Sequence, residues 1–449
     1  MKKTWKKLLA LTLAMLLLLA LIPASALAAS DVTVYVTVSI DGQFGADKSG
    51  GDMAYRPVTA PDGASALDVI VAAHKQYYSG GAGGFVYQQA ADGLHVYNVW
   101  GSSGSIYFSA ICNDQMISSF DDLNIIKLNQ GGTVDLLISA DDAAYTAKFT
   151  PPVQSVKPGD AVSVTYSLWG STSDGAASRW LPYPGAGLIV DGAQTDFTSD
   201  SNGLFTFNLL TSGAHVITAA SGYTTNAACA VVNVTPLFSD MPGHWAEQYV
   251  NVCSLTSLVN GTGGGQFTPD ASMTREQLVT IIWRMCGSPA PASAAAFSDV
   301  AAGSYYADAV AWGNENGIVT GYSGTVFGVG NPVTREQVAV IFYRLATMLK
   351  ERLSGINLNF STGVLDNFKD ASSISGYARD AMAFAYTYTV IHGYPDGTLN
   401  PQGNATRAEI STMVTRFLDS AYMDLNSPPD NRSDILSWYK LVLGEIQGD

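Results

Sequence analysis

One tetrapeptide recurs three times in the C-terminal half of this chain, and nothing else constrains the fold as much. Thr274-Arg275-Glu276-Gln277, Thr334-Arg335-Glu336-Gln337 and Thr406-Arg407-Ala408-Glu409 lie 60 and then 72 residues apart. Each follows, 36 to 38 residues downstream, one of the triplets Phe238-Ser239-Asp240, Phe297-Ser298-Asp299 and Phe368-Lys369-Asp370. A repeat of this period is a supersecondary unit that cannot bury its apolar face alone, so neighbouring copies must pack on one another. The 12 extra residues of the second gap fall around Lys350 to Asn367.

The tetrads read as helix starts. Thr-x-x-Gln/Glu is a capping box, in which the Thr oxygen accepts from a free helix N–H and the Gln or Glu reaches back. An apolar stripe at helical spacing follows each: Leu278, Ile281, Ile282 and Met285; Val338, Ile341, Phe342 and Leu345; Ile410, Met413, Val414 and Phe417. A second helix is predicted upstream in each block, over Trp245–Leu258, Tyr305–Ile318 and Tyr377–Val390. Gly-rich loops, Gly261 to Pro269, Gly321 to Gly330 and Gly393 to Pro401, join the two helices of each block.

This pattern, with Val319-Thr320-Gly321-Tyr322 and Ile391-His392-Gly393-Tyr394-Pro395-Asp396-Gly397-Thr398 as its closest segments, resembles the S-layer homology domain in triplicate over residues 237–418. The resemblance implies an all-α, pseudo-threefold module with repeats at 237–290, 291–350 and 351–420. It also implies binding of a secondary cell-wall polymer, a pyruvylated polysaccharide, in grooves between lobes.

The residues give that ligand a chemistry. Arg275, Arg335 and Arg407 each open a helix, where the dipole offers a cation no benefit. Arg beside free helix N–H groups makes a carboxylate receptor, and a pyruvyl ketal presents a carboxylate. The alternative is a structural brace to Asp240, Asp299 or Asp370, which share the candidate site. Trp245, Tyr305 and Tyr377 could stack on a sugar or belong to the core. The first loop, Gly261-Thr262-Gly263-Gly264-Gly265, lacks the Tyr and Asp, and the first two tetrads end in Gln where the family favours Glu. Unequal grooves are therefore expected, with the third repeat the best match.

The N-terminus predicts export. Lys2, Lys3, Lys6 and Lys7 precede an apolar run from Leu8 to Ile22, and Ala26-Leu27-Ala28 is a small-x-small cleavage site. Residues 1–28 read as a signal peptide, after which no membrane association is expected. Loss of the four lysines takes the formal charge from −15 to −19. So acidic a chain repels nucleic acid and anionic lipid. Cys112, Cys229, Cys253 and Cys286 lack metal-site spacing; Cys253 and Cys286 could pair, with buried thiols as the favoured alternative.

Residues 29–151 alternate like strands around a helical segment, Ala64 to Tyr78, predicting an α+β domain. The motifs Ala60-Pro61-Asp62-Gly63-Ala64-Ser65-Ala66-Leu67-Asp68-Val69-Ile70 and Val99-Trp100-Gly101 with Ile106-Tyr107-Phe108 resemble the transcobalamin-like C-terminal domain, a β-grasp-type module. Trp100, Tyr107 and Phe108 could line a ligand surface or sit in the core. Asp41, Asp47 and Asp52 read as a solvated turn. Residues 152–236, with short strands at turn-bounded intervals, look like an immunoglobulin-like β-sandwich. Residues 421–449 form a tail with one apolar stretch, Ile435 to Ile446.

His74, His95, His215, His244 and His392 form no ligand-spaced pair. Neither a nucleophile elbow nor a P-loop is present, and Asp121-Asp122 and Asp141-Asp142 mean little in an acidic chain. The expectation is a non-catalytic, wall-anchored surface protein without cofactor or metal, displaying an N-terminal domain to an unknown ligand or protein. The alternatives are a surface-lattice subunit and an anchored enzyme with a site in residues 30–150.

Overall fold

The computed structural model describes residues 31–103, 107–117, 119–139, 145–170, 178–223, 225–350, 358–423 and 435–447. The signal peptide, Ile106, Asp141-Asp142 and residues 424–434 of the tail lie outside the described residues.

In the N-terminal unit, the alternating run becomes strand Val32–Ile40. It runs parallel to Thr133–Ser139, with Tyr35 opposite Thr133, and antiparallel to Arg56–Ala60. Thr133–Ser139 pairs in turn with Tyr107–Cys112. Helix α1, Ala66–Tyr77, starts at a capping box: Asp68 N–H donates to Ser65 Oγ at 3.1 Å and Ser65 N–H to Asp68 Oδ2 at 3.0 Å. Its Leu67, Val69, Ile70 and Ala73 pack on Val34, Val36 and Val38. A short helix α2, Asp122–Ile125, closes the same core with Leu123. Trp100 belongs to this core, Phe108 is partly buried against it, and Tyr107 is exposed. Asp47 closes a turn, accepting from Ser49 and Gly51 N–H and pairing with Arg56 at 2.8 Å.

The second unit is two facing sheets. One contains Ala147–Thr150, Ala161–Gly170, Arg179–Pro182 and Leu204–Asn208; the other contains Val153–Val156, Gly187–Val190, Ala193–Thr198, Gly213–Ala220 and Ala230–Val234. Phe149, Val164, Phe205, Leu188, Ile217 and Val232 fill the space between. The boundary expected at 151/152 is corrected here. Ala147–Thr150 pairs with Ala161–Gly170, so it is a strand of this second unit. The second unit also covers the outer face of the first sheet: Tyr55, Cys229 and Val231 share a buried cluster, and Ala227 N–H donates to Ser39 Oγ at 2.8 Å.

The C-terminal module is helical. Its helices are α3 Glu247–Leu255, α4 Arg275–Met285, α5 Ala307–Glu315, α6 Arg335–Lys350, α7 Arg379–Thr387 and α8 Arg407–Met423. Each tetrad helix packs on the first helix of the next repeat: α4 on α5, α6 on α7, and α8 back on α3. The ring closes at the axis through backbone bonds: Val333 N–H to Met273 O, Ala405 N–H to Val333 O, and Met273 N–H to Ala405 O, at 2.9–3.0 Å. The apolar part of the tail is helix α9, Ile435–Gln447, which buries Tyr439, Val442, Leu443 and Ile446 in the same core. The module joins the second unit through Asn251, whose Nδ2 donates to Leu210 O at 2.6 Å, and through Glu247, which accepts from Ser212 N–H at 3.1 Å. Cys253 Sγ donates to Ser411 O, and no disulfide joins Cys253 to Cys286.

Candidate functional site

The three tetrads start their helices as the capping box requires. Thr274 N–H donates to Gln277 Oε1 at 3.1 Å. Thr334 and Gln337 bond each other reciprocally, at 3.3 and 3.4 Å, as do Thr406 and Glu409, at 2.9 and 3.1 Å. The glutamates at the third tetrad position are buried braces. Glu276 accepts from Gly330 N–H, and Glu336 from Ser375 and the Tyr377 hydroxyl.

This places each tetrad Arg against the loop of the following repeat. Arg275 Nε donates to Phe327 O at 3.3 Å and Nη2 to Thr320 O at 3.0 Å. Arg335 makes the same pair to Leu399 O and His392 O, both at 2.8 Å. Arg407 makes it to Phe267 O at 2.9 Å and Asn260 O at 2.7 Å. All three side chains are buried, and burial pulls Arg275 and Arg407 below the ordinary Arg value. An aromatic ring covers each guanidinium: Tyr322 at 4.6 Å, Tyr394 at 4.7 Å and Phe267 at 4.4 Å. The brace is therefore real, but its partners are carbonyls of the next repeat.

The aspartates have another task. Asp240 accepts from Phe267 and Thr268 N–H, Asp299 from Phe327, Gly328 and Val329 N–H, and Asp370 from Leu399 and Asn400 N–H. Burial opposes the charge of Asp240 and Asp299, yet the N–H donors outweigh it and hold both below the usual carboxylate value. Asp240, Asp299 and Asp370 line none of the grooves described below, so their expected place in the binding site is corrected to that of loop staples. The leading Phe of each triplet explains the loop glycine. A Cβ on Gly261, Gly321 or Gly393 would stand 2.7, 2.7 or 2.4 Å from Phe238, Phe297 or Phe368.

Three grooves result, and each draws on all three repeats. The first, about 340 Å³, combines Arg275, the loop Val319 to Tyr322 with Gln337 and Arg344, and Tyr377. The second, about 610 Å³, combines Arg335, the loop His392 to Pro395 with Glu409 and Arg416, and Trp245 with Asp270. The third, about 450 Å³, combines Arg407, the loop Leu258 to Thr262 with Gln277 and Arg284, and Tyr305. The aromatics are not core residues: Trp245, Tyr305 and Tyr377 are 59%, 60% and 62% exposed. Sequence reasoning missed Arg284, Arg344 and Arg416, though each follows its tetrad Arg by nine residues. That spacing was the available signal.

The S-layer homology domain family matches residues 237–279, 296–339 and 367–410, the three segments that carry these loops and tetrads. The chain carries three S-layer homology domains. It is accordingly a secreted, cell-wall-associated surface protein. Among the described residues no helix is long and apolar enough to cross a membrane.

Curated relatives that match part of this chain are very different proteins. An amylopullulanase of Thermoanaerobacterium thermosulfurigenes is 29% identical over 41% of this chain and 10% of its own length. Exoglucanase XynX of Acetivibrio thermocellus is 28% identical over 42% of this chain and 17% of its own. The surface-layer 125 kDa protein of Lysinibacillus sphaericus is 27% identical over 45% and 17%. The match thus spans less than a fifth of each of these relatives. Among solved structures, the N-terminal immunoglobulin domains of Dscam1 align over 33% of the chain at 15% identity with a TM-score of 0.15, which carries no argument about the fold.

Proposed function

We propose that the S-layer homology grooves hold an acidic, pyruvylated secondary cell-wall polymer, and that residues 31–235 are a non-catalytic unit displayed outside the wall. The observation that carries the first part is the pairing, in every groove, of two arginines with one exposed aromatic from a third repeat. Arg reads a carboxylate through charge-assisted hydrogen bonds. An exposed ring offers a flat apolar face to a sugar. With Nε and Nη2 fixed on carbonyls, Nη1 of Arg275 and of Arg335 meets the groove residues Gln337 and Glu409.

The non-catalytic reading draws on where the unusual titratable groups sit. His74 is fully buried, with Nδ1 on Ile70 O and Nε2 accepting from Trp100 N–H. Asp135 is buried against the Tyr55 hydroxyl at 2.9 Å. Both act as internal hydrogen-bond partners. The parallel pair with its packed helix supports a β-grasp-like first unit, and the facing sheets support an immunoglobulin-like second one. Incubating the full chain with wall glycans and finding bond cleavage would replace this reading with the anchored-enzyme one.

The anchoring part is tested by titrating purified wall polymer into the full chain and into the triple variant Trp245→Ala, Tyr305→Ala, Tyr377→Ala. These exposed side chains can be removed without opening the core. The variant should stay folded, giving up only the Tyr377 hydroxyl's bond to Glu336, and lose at least tenfold in affinity. Unchanged affinity would remove the grooves from the binding site.

A further inference from the structure

Alternation along the first sheet puts Thr37 and Ser39, Asp135 and Ser139, and Tyr107 and Ser109 on its outer face. Leu137 stands opposite both Ser39 and Ser109, and Ser139 opposite Tyr107. At one end this face is sealed: the Tyr55 hydroxyl donates to buried Asp135 at 2.9 Å, and Cys229 and Val231 of the second unit pack with Tyr55. At the other end the two units part. A cavity of about 270 Å³ opens there, floored by Ser39, Ser109 and Ser139 and flanked by Tyr107 from the first unit and by Tyr145 and Thr146 from the second. The second unit is fixed on its side of the cavity. Asn226 clasps Ala147, with Nδ2 donating to Ala147 O at 3.1 Å and Oδ1 accepting from Ala147 N–H, and Ala227 N–H donates to Ser39 Oγ at 2.8 Å. A Cβ on Gly42, at the same rim, would stand 2.8 Å from Thr225 O, so the units meet there backbone to backbone.

We propose that this cleft between the first and second units binds a neutral glycan, one sugar ring seated between Tyr107 and Tyr145. No residue lining the cavity is charged, and apart from the amide of Asn226 its polar side chains are all hydroxyls. A hydroxyl both donates and accepts, as the hydroxyls of a sugar do. Tyr107 and Tyr145 are 56% and 45% exposed and offer ring faces to the apolar side of a pyranose. The cavity lies at the small end of ligand sites, the size for a single ring. Beyond it the aromatic row continues: the Tyr145 ring lies 4.6 Å from that of exposed Tyr223, itself 5.8 Å from Tyr183, a path for the sugars that follow. An anion would find no cation in the lining, and a purely apolar ligand would leave the hydroxyls unpaired. A peptide strand would pair with a sheet edge, whereas this cavity lies on the sheet face, where side chains and not backbone are presented. Of the aromatics expected either in a ligand surface or in the core, Tyr107 and Phe108 line the cavity and Trp100 stays in the core. The cleft shares no residue with the grooves of the helical module and does not depend on the wall-polymer reading.

The full chain would be titrated by calorimetry with four neutral trisaccharides: cellotriose, maltotriose, xylotriose and triacetylchitotriose. At least one should bind. The double variant Tyr107→Ala, Tyr145→Ala removes two exposed rings and should lower that affinity about tenfold or more. Ser109→Tyr fills the cavity from its floor and should abolish binding; it is the independent variant if the double one loses its fold. The groove variant Trp245→Ala, Tyr305→Ala, Tyr377→Ala should bind the trisaccharide as the wild type does. In that same background trigalacturonic acid, the charged counterpart, should bind about tenfold more weakly or not at all. Four results would each overturn the assignment: no neutral trisaccharide bound at about 10 mM, affinity untouched by both cleft variants, affinity lost in the groove variant, or trigalacturonic acid bound equally well. Binding to sacculi should be the same in the wild type and in the Tyr107→Ala, Tyr145→Ala variant, so failure of the cleft and failure of the wall-polymer reading are read separately.

Discussion

Arg407 ties the end of the ring to its beginning, and its removal tests whether the tetrad arginines are structural as well as receptive. Its guanidinium donates to Phe267 O at 2.9 Å and Asn260 O at 2.7 Å and lies 4.4 Å from the Phe267 ring. Hydrogen bonds from a charged donor are worth about 1.5–3 kcal/mol each, and a cation over a ring adds roughly 0.5–2 kcal/mol. Water entering the emptied groove recovers part of this, leaving a net loss of about 3 kcal/mol for Arg407→Ala. For a module of this size each 1 kcal/mol moves the midpoint by about 2–4 °C, so the helical transition should fall by roughly 6–12 °C in calorimetry. Hydrogen exchange should quicken in Val259 to Phe267 and nowhere in the first two units. Arg407→Lys, a point charge that cannot span both carbonyls, should recover less than half of the loss. Arg335→Ala should cost more, because it also strands Glu409 beside an empty groove. A midpoint shift below about 2 °C for Arg407→Ala would refute the brace.

Three further outcomes follow from buried polar groups. Burial, opposed by the Tyr55 and Thr37 hydrogen bonds, raises Asp135 from 3.8 to about 7. Its neutral form is favoured in the fold, so the stability it contributes is full below about pH 4 and is lost as pH rises through 7, on the order of 4 kcal/mol; Asp135→Asn should flatten that slope in chemical unfolding. Burial lowers His74 from 6.5 to about 4. Stability held by its neutral ring is present above pH 6.5 and is lost as pH falls toward 4, on the order of 3 kcal/mol, and His74→Gln should remove this acid limb. Asp299→Ala leaves the N–H groups of Phe327, Gly328 and Val329 without their acceptor, and should lower helical-module stability by about 2–4 kcal/mol in urea titration.

The tetrad helices were legible because their signals are local. Capping box and apolar stripe lie within a dozen residues, and helices α4, α6 and α8 begin at Arg275, Arg335 and Arg407 as read. Helix α1 was legible for the same reason. The strand Ala147–Thr150 was not, since its partner lies across Pro151-Pro152, which mimics a linker in sequence. The grooves were hidden by their construction. Arg275, Arg344 and Tyr377 come from three different repeats, and no spacing within one repeat brings them together. Asp240 recurs as faithfully as Arg275, and only the structure separates a residue that closes a loop from one that faces a ligand.

One measurement tests directly whether the repeats hold a wall polymer: a binding isotherm of the full chain on purified sacculi, before and after acid removal of the secondary polymer. Saturable binding to native sacculi that disappears on stripping is the predicted result. Equal binding to stripped and native sacculi would contradict it.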